Sequence, residues 1–173
     1  MIIMLNGSFG VGKSTTAEAL RQRIAGSIIY DPEYVGMLAR HLTEGLRQGE
    51  EATDDFQDIA LWRSLTVAAA QGLWRRYQRP MIVPMTLAQP AYLDEIRTGL
   101  AACAPTHHFC LVAPLATVQR RLAQRGEQPG SWAWQKAERC VPILDHPRYA
   151  QHIPTDGREV PAVVEDILAR LPR

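Results

Sequence analysis

Short apolar runs rich in branched residues alternate with longer stretches whose apolar positions recur every three or four residues. This is the pattern of strands joined by helical crossovers in a parallel sheet. Five runs read as strands: residues 2–5, 27–30, 81–85, 107–112 and, with the weakest pattern, 150–153. The first, third and fourth are apolar almost without interruption, so burial on both faces is expected, with helices covering both sides of the sheet. Helical periodicity spans 13–24, closing before Gly26, and resumes at Pro32 behind the potential cap Asp31. A longer helix is expected over 56–77, opened by a capping box of Asp54 and Gln57, and others over 92–102, 115–125, 132–140 and 160–171. Residues 45–53, GLRQGEEAT, read as an exposed loop, and GEQPGS separates the helices on either side of it.

Composition adds bounds. With 173 residues, 46% of them apolar and 21% charged, the chain is expected to form a single domain over 1–173 with one substantial core. Nineteen basic against eighteen acidic residues leave a net charge of +1, which gives no global electrostatic basis for binding nucleic acid. An anion site must then be local. Cys103, Cys110 and Cys140 are odd in number and lack CxxC spacing, so they read as small core residues and not as a disulfide framework or a zinc site. No apolar run reaches the roughly eighteen residues of a spanning helix, and MIIML lacks the basic flank and length of a signal peptide. A cytoplasmic protein is expected, with weak peripheral membrane contact through an amphipathic surface left open. Oligomeric state is not legible.

The chemistry begins at GSFGVGKST, residues 7–15, between the first strand and the first helix. Gly7, Gly12, Lys13 and Ser14 satisfy G-x-x-x-x-G-K-[ST] in the context that motif requires. Such a loop turns the backbone N–H groups of Ser8, Phe9, Gly10, Val11 and Gly12 toward one anion, and the helix N-terminus adds its dipole. Lys13 is placed for the β- and γ-phosphates, Thr15 for the α-phosphate, and the Ser14 hydroxyl for Mg²⁺, a hard cation that prefers oxygen. The spacing is not G-x-G-x-x-G, so the ligand class is a nucleoside triphosphate with magnesium, not a dinucleotide.

Transfer of a phosphoryl group needs further charge and an oriented acceptor. Arg121 and Arg125 lie four apart beside the Gly/Pro break, with Arg139 beyond it. The segment of about 121–140 reads either as a helical lid whose arginines grip phosphate or as a solvated basic face, Arg120 being a bystander. YDPE follows the second strand, where open parallel sheets collect ligands. Asp31 there is a candidate catalytic base or holder of a magnesium-bound water, or simply a helix cap; Glu33 is a second candidate or a surface carboxylate. Arg63, in LWRSL, reads equally as a substrate ligand or a snorkelling side chain. Thr86 closes IVPMT, a strand end without the carboxylate that motor and switch ATPases use for magnesium, and reads as a substrate contact or a cap. His107 and His108 read as structural. The late TDG turn is placed to border the nucleobase through Thr155 and Asp156.

Taken together, GSFGVGKST, YDPEYVG, DDFQ followed by LWR, IVPMT, HHF, SWA, ERC and the late TD resemble the bacterial ATP-binding tunicamycin-resistance proteins across nearly the whole chain. The resemblance implies a P-loop NTPase fold of the nucleoside and nucleotide kinase kind, with a five-stranded parallel sheet in order 2-3-1-4-5, helices on both faces and a helical lid. It implies ATP as the nucleotide, Arg121 stacking on the base, and Arg125 and Arg139 as lid arginines; beside it, Lys13, Asp31 and Arg125 are the residues expected to serve catalysis. The small-molecule partner it implies is tunicamycin, a nucleoside antibiotic with uracil, sugars and a fatty acyl chain. Three functions stay open: phosphoryl transfer to a hydroxyl of that drug or a nucleoside-like relative, ATP-dependent sequestration, or a housekeeping nucleoside or nucleotide kinase. Tyr34, Val35, Met37, Leu38, Phe56 and Trp62 read as a groove for an acyl-bearing acceptor or, for most of them, as core.

Overall fold

The computed structural model describes residues 1–149 and 151–172. The apolar runs form β1 (Ile2–Gly7), β2 (Ile28–Ile29), β3 (Met81–Pro84), β4 (Thr106–Val112) and β5 (His152–Pro154). All pair in parallel, in the order β2-β3-β1-β4-β5. β1 is therefore central, with Met4 opposite Val83 on one side and His108 on the other. Its near-continuous apolarity follows from this position: Ile2, Ile3, Met4 and Leu5 are all fully buried. Each such side chain contributes about 1.5–3 kcal/mol relative to exposure.

Strand alternation divides these residues between two cores. Ile3 and Leu5 join Ile82, Phe109 and Leu111 under α1 (Lys13–Arg23) and α7 (Val160–Ala169), which supply Ala17, Leu20, Val163, Val164 and Ile167. Ile2 and Met4 join Met81, Val83 and Cys110 on the opposite face. That face is covered by α2 (Pro32–Leu42), α3 (Ala60–Tyr77), α4 (Pro90–Ala101) and α6 (Trp132–Leu144). A small cluster of Val118, Leu122 and Ala137 ties α5 (Leu115–Gln124) to α6. The three cysteines are unpaired; Cys110 and Cys140 are core residues and Cys103 packs partly buried against the core.

Three boundaries differ from the sequence pattern for identifiable reasons. The capping box expected at Asp54 is displaced by one residue: Asp55 accepts from the Gln57 N–H at 3.0 Å and caps a single 3-10 turn, Phe56–Asp58. Arg40 meanwhile holds the Asp54 carbonyl. α3 then starts only at Ala60, whose N–H is taken by Glu51 Oε1 at 2.8 Å. The loop at 45–53 contains one 3-10 turn, Gly49–Glu51. α6 runs past Cys140 to Leu144 with Pro142 inside it. The proline is exposed, while Cys140 and Leu144, one turn apart, are buried on the inner face and hold that turn against the core. The fifth strand, expected over 150–153, forms at His152–Pro154, and of the expected span Ala150 lies outside the described residues.

The α3–α4 packing rests on a glycine. A Cβ on Gly99 would lie 2.6 Å and 2.7 Å from the two methyl carbons of Val67, whose branched side chain has little freedom on a helix. Helix propensity favours alanine over glycine by about 1 kcal/mol. The contact reverses that sign, so Gly99→Ala is expected to lower stability by about 1–3 kcal/mol in urea denaturation, and the added Val67→Ala change to recover part of the loss. A stabilised Gly99→Ala protein contradicts the packing described.

Candidate active site

β1 ends in a buried asparagine that frames the loop following it. Asn6 Oδ1 accepts from the N–H groups of Gly7 and Leu87, both at 2.8 Å, and its amide donates to the Leu87 carbonyl at 3.0 Å. The buried Thr86 hydroxyl donates to the Gly7 carbonyl at 2.8 Å. The exit of β3 and the start of the phosphate loop are thereby one rigid unit. Beyond it, Gly10 passes so close to α5 that a Cβ would sit 3.0 Å from both the Val118 carbonyl and Leu122 Cγ. Gly12 has φ 110° and open space before it. Val11 is buried, and Ser8 is buried with its hydroxyl on the Phe9 carbonyl at 3.3 Å.

The start of α1 fits a phosphate group. Gly12 stands at its N-cap and no side chain caps the first turn, so the leading N–H groups that every helix exposes are left for a ligand. Ser14 and Thr15 are exposed on that turn. Lys13 Nζ donates to the Ser8 carbonyl at 2.9 Å and lies 5.3 Å from the centre of the Phe9 ring. Burial pulls its pKa from 10.5 down to about 8, opposed chiefly by the negative charge of Glu33. A cation held with one weak protein acceptor in a partly desolvated cradle matches a polyanion.

Beside the loop, Arg121 joins three segments. Its Nη1 donates to the Val11 carbonyl and to Thr155 Oγ1, both at 3.0 Å, and its Nη2 donates to the Thr155 carbonyl at 2.8 Å. Thr155 Oγ1 itself donates to the Val11 carbonyl at 3.0 Å, and Asp156 accepts from the Thr117 hydroxyl at 2.6 Å. Arg121, Thr155 and Asp156 are thus gathered at one flank of the phosphate loop. Arg125, the C-cap of α5, is exposed, and its charge reaches Lys13, lowering the lysine's pKa further. Arg139 is exposed on α6.

On the other flank lie two contiguous cavities of about 400 Å³ and about 260 Å³. Phe9, Asp55, Gln57 and Thr86 line both. The larger is walled mainly by Phe9, Phe56, Trp62, Met85 and Trp132, with Glu33 and Arg40 among its polar groups. The smaller adds Asp58, Gln89, Tyr92, Lys136 and Arg139.

Of the acceptor-side candidates, Thr86 stands between the cavities and the phosphate loop. Asp31 caps α2, accepting from the Glu33 N–H at 2.9 Å. Glu33 lines the larger cavity, and its carboxyl is raised above the usual range by desolvation, then by the charge of Asp31, with Lys13 opposing. Arg63 is engaged by protein groups: Glu95 at 2.7 Å, the Gln57 carbonyl at 2.8 Å and the Tyr92 ring 4.2 Å away. Of the apolar candidates, Phe56 and Trp62 line the cavity and Val35 packs on the core, while Tyr34, Met37 and Leu38 face solvent on α2. His107 and His108 are strand residues, and no cluster suited to a metal ion exists among the described residues.

Sequence reading missed Asn6, Asp55, Trp132 and Lys136. Trp132 meets the Phe9 ring edge-on at 5.0 Å between centroids, and Lys136 pairs with Asp55 at 2.6 Å. A signal for Lys136 was available: the chain has two lysines, Lys13 and Lys136, against seventeen arginines, and both stand at this site.

A strand-loop-helix cradle at the centre of a parallel sheet, opening on a roofed cavity, defines a P-loop nucleotide-binding protein of kinase-like fold. A family model described as an AAA domain matches residues 2–139. The structure of the Deinococcus radiodurans tunicamycin resistance protein matches with a TM-score of 0.78 and 32% identity, over 98% of this chain and 94% of that one. The chain belongs to this P-loop, kinase-like AAA-domain family, together with that tunicamycin resistance protein. The fold is shared with a gluconokinase of Sinorhizobium meliloti (TM-score 0.66, 20% identity, 96% and 89% of the two chains). It is shared also with the Acinetobacter baumannii shikimate kinase in complex with shikimate (TM-score 0.59, 15% identity, 96% and 90%). No curated protein sequence matches the chain. No helix among the described residues is long and apolar enough to cross a membrane.

The depressed Lys13 pKa has a thermodynamic consequence. Between about 8 and 10.5 the folded ligand-free chain binds fewer protons at Lys13 than the unfolded chain, so stability rises with pH across that window, and below it the penalty of a desolvated ammonium is fully present. Lys13→Met is therefore expected to stabilise the ligand-free protein at pH 7 by about 1–2 kcal/mol. That gain should vanish above pH 10.5, where the lysine is neutral in both states. Thermal melts at the two pH values check this, and an equal shift at both refutes it.

Proposed function

We propose that this protein is an ATP-dependent phosphotransferase acting on a hydroxyl of tunicamycin or a related nucleoside-like molecule. The observation that carries the reading is the shared wall: Phe9 and Thr86 belong at once to the phosphate-loop frame and to an aromatic-lined cavity of about 400 Å³. A donor and an acceptor bound on its two sides meet. When bound, ATP with Mg²⁺ supplies the phosphoryl group and the cation that neutralises its charge. Lys13 and the first-turn N–H groups of α1 would hold the phosphate oxygens, and the Ser14 hydroxyl would be a ligand for the magnesium. Arg121 and the Thr155–Asp156 turn border the nucleobase. Arg125 and Arg139, on the helical segment of about 121–140 that acts as a lid, add positive charge where it develops on transfer.

Two carboxylates compete to receive the acceptor proton. Asp31 spends one oxygen on the α2 cap, whereas Glu33 lines the cavity with raised proton affinity. Glu33 is then the stronger base, with Asp31 fixing the start of the helix that carries it. The mixed lining supports a partly apolar acceptor: aromatic rings fill the larger cavity, and Met37 and Tyr34 continue an apolar surface along α2 beside Glu33. The same lining favours a second reading, drug capture with ATP as a conformational ligand only.

An acceptor screen by ADP release separates these readings, using tunicamycin, ordinary nucleosides and gluconate, with mass spectrometry of the products. Transfer is expected to add one phosphate to tunicamycin. Stoichiometric binding without any phosphorylated product supports capture instead, and turnover of ordinary nucleosides alone supports a housekeeping kinase. Lys13→Ala should remove activity by at least about 10²–10³-fold. Glu33→Gln should lower kcat by about 10²-fold, with ATP binding intact, and Asp31→Asn should cost less. The reverse order of the two acids makes Asp31 the base.

A further inference from the structure

The loop bearing Asp54, Asp55 and Gln57 forms one wall of both cavities, and α6 forms the wall facing it. The loop is knit to its own neighbours: Arg40 holds the Asp54 carbonyl, Arg47 donates to the Thr53 carbonyl at 3.2 Å, and the Thr53 hydroxyl donates to Asp58 at 3.2 Å. One ion pair spans from it to the opposite wall, Asp55 Oδ2 to Lys136 Nζ at 2.6 Å, with the two side chains only 14% and 22% exposed. Asp55 is pinned from behind, since its other oxygen accepts the Gln57 N–H at 3.0 Å. Lys136 is also held, with its ammonium 5.5 Å from the Trp132 ring, whose edge meets Phe9 of the phosphate loop.

We propose that Asp55 and Lys136 form a clasp that holds the acceptor-side loop against α6 and keeps the acceptor cavity divided into its two chambers, making both positioning residues for the acceptor. The assignment of the cavity to an acceptor rests on the function proposed above; the clasp itself does not. A partly desolvated pair in contact differs from a surface salt bridge, because removing either partner strands the other charge in a site with little water. With the clasp open, no other hydrogen bond or ion pair among the described residues joins the loop to α6. The chambers of about 400 Å³ and about 260 Å³ then merge. The clasp also accounts for a lysine in a chain that otherwise uses arginine. The site offers one carboxylate oxygen and an aromatic face, which suit a compact ammonium better than a planar fork.

The test compares Asp55→Asn, Lys136→Met and the neutral double variant D55N/K136M in the whole chain; asparagine keeps the oxygen that accepts the Gln57 N–H. Backbone amide exchange over residues 43–59 is the readout that needs no substrate. Both single variants are expected to exchange about tenfold faster there, with α1 and the sheet unchanged, and the double variant to exchange no faster than either single one, because no charge is left stranded. Unchanged exchange in the single variants overturns the clasp. So does loosening that adds up in the double variant, because that assigns the two effects to separate changes in packing. Where tunicamycin is turned over, the single variants should raise its KM about tenfold with the KM for ATP and kcat moved less than about twofold, and an equal effect on both substrates overturns the positioning role. Absence of turnover by the unmodified protein counts against the proposed function and leaves the exchange result to decide the clasp.

Discussion

The geometry of the candidate site depends on a buried amide at the end of the central strand. Asn6 satisfies two N–H groups and one carbonyl on segments eighty residues apart in sequence, and Thr86 adds a bond to the Gly7 carbonyl. Each bond contributes only about 1 kcal/mol net, but a buried partner left unpaired costs more, so the set behaves as a unit. The unit lies where β1 and β3 stop, and it fixes the first residue of the phosphate loop to the wall of the cavity. The phosphate loop and the cavity beside it are therefore rigidly related through one strand end, while α2, the loop at 43–59 and α6 are arranged around it.

The electrostatics of the site follow from that frame. β1 leads into the phosphate loop, and Lys13, the first residue of α1, stands in a cradle where burial brings its pKa to about 8. Glu33 answers from α2 and is itself raised by desolvation. The two shifts act in opposite senses on opposite charges, as burial requires, and each group is poised for a ligand that restores what burial removes. The arginines are distributed differently from their spacing on one helical face: Arg121 is fastened to the phosphate loop and the Thr155 turn, whereas Arg125 faces solvent. One turn of helix thus separates a residue that builds the site from one free to meet a ligand.

The sequence determined the parallel strands and the phosphate loop, because the signals for these are local, whereas the strand order followed only from the family resemblance. Buried parallel strands are apolar on both faces, and a phosphate cradle needs its glycines, lysine and serine at fixed spacing in one short segment. Pro32 behind Asp31 similarly marked the start of α2, where Asp31 is the cap. Tertiary structure decided what local pattern could not. Spacing pointed to Asp54 as the cap, but Asp55 takes that place, with Arg40 of α2 on the Asp54 carbonyl and Lys136 of α6 paired with Asp55. The helix expected over 132–140 continues through Pro142 because Leu144 is buried one turn beyond Cys140. Asn6 is one polar residue after an apolar run, and its role exists only because β3 returns beside β1. The cavity beside the phosphate loop was least legible for the same reason: its walls come from that loop, α2, the loop at 43–59, α3, the end of β3, α4 and α6, and no periodicity records that folding brings such separate segments together.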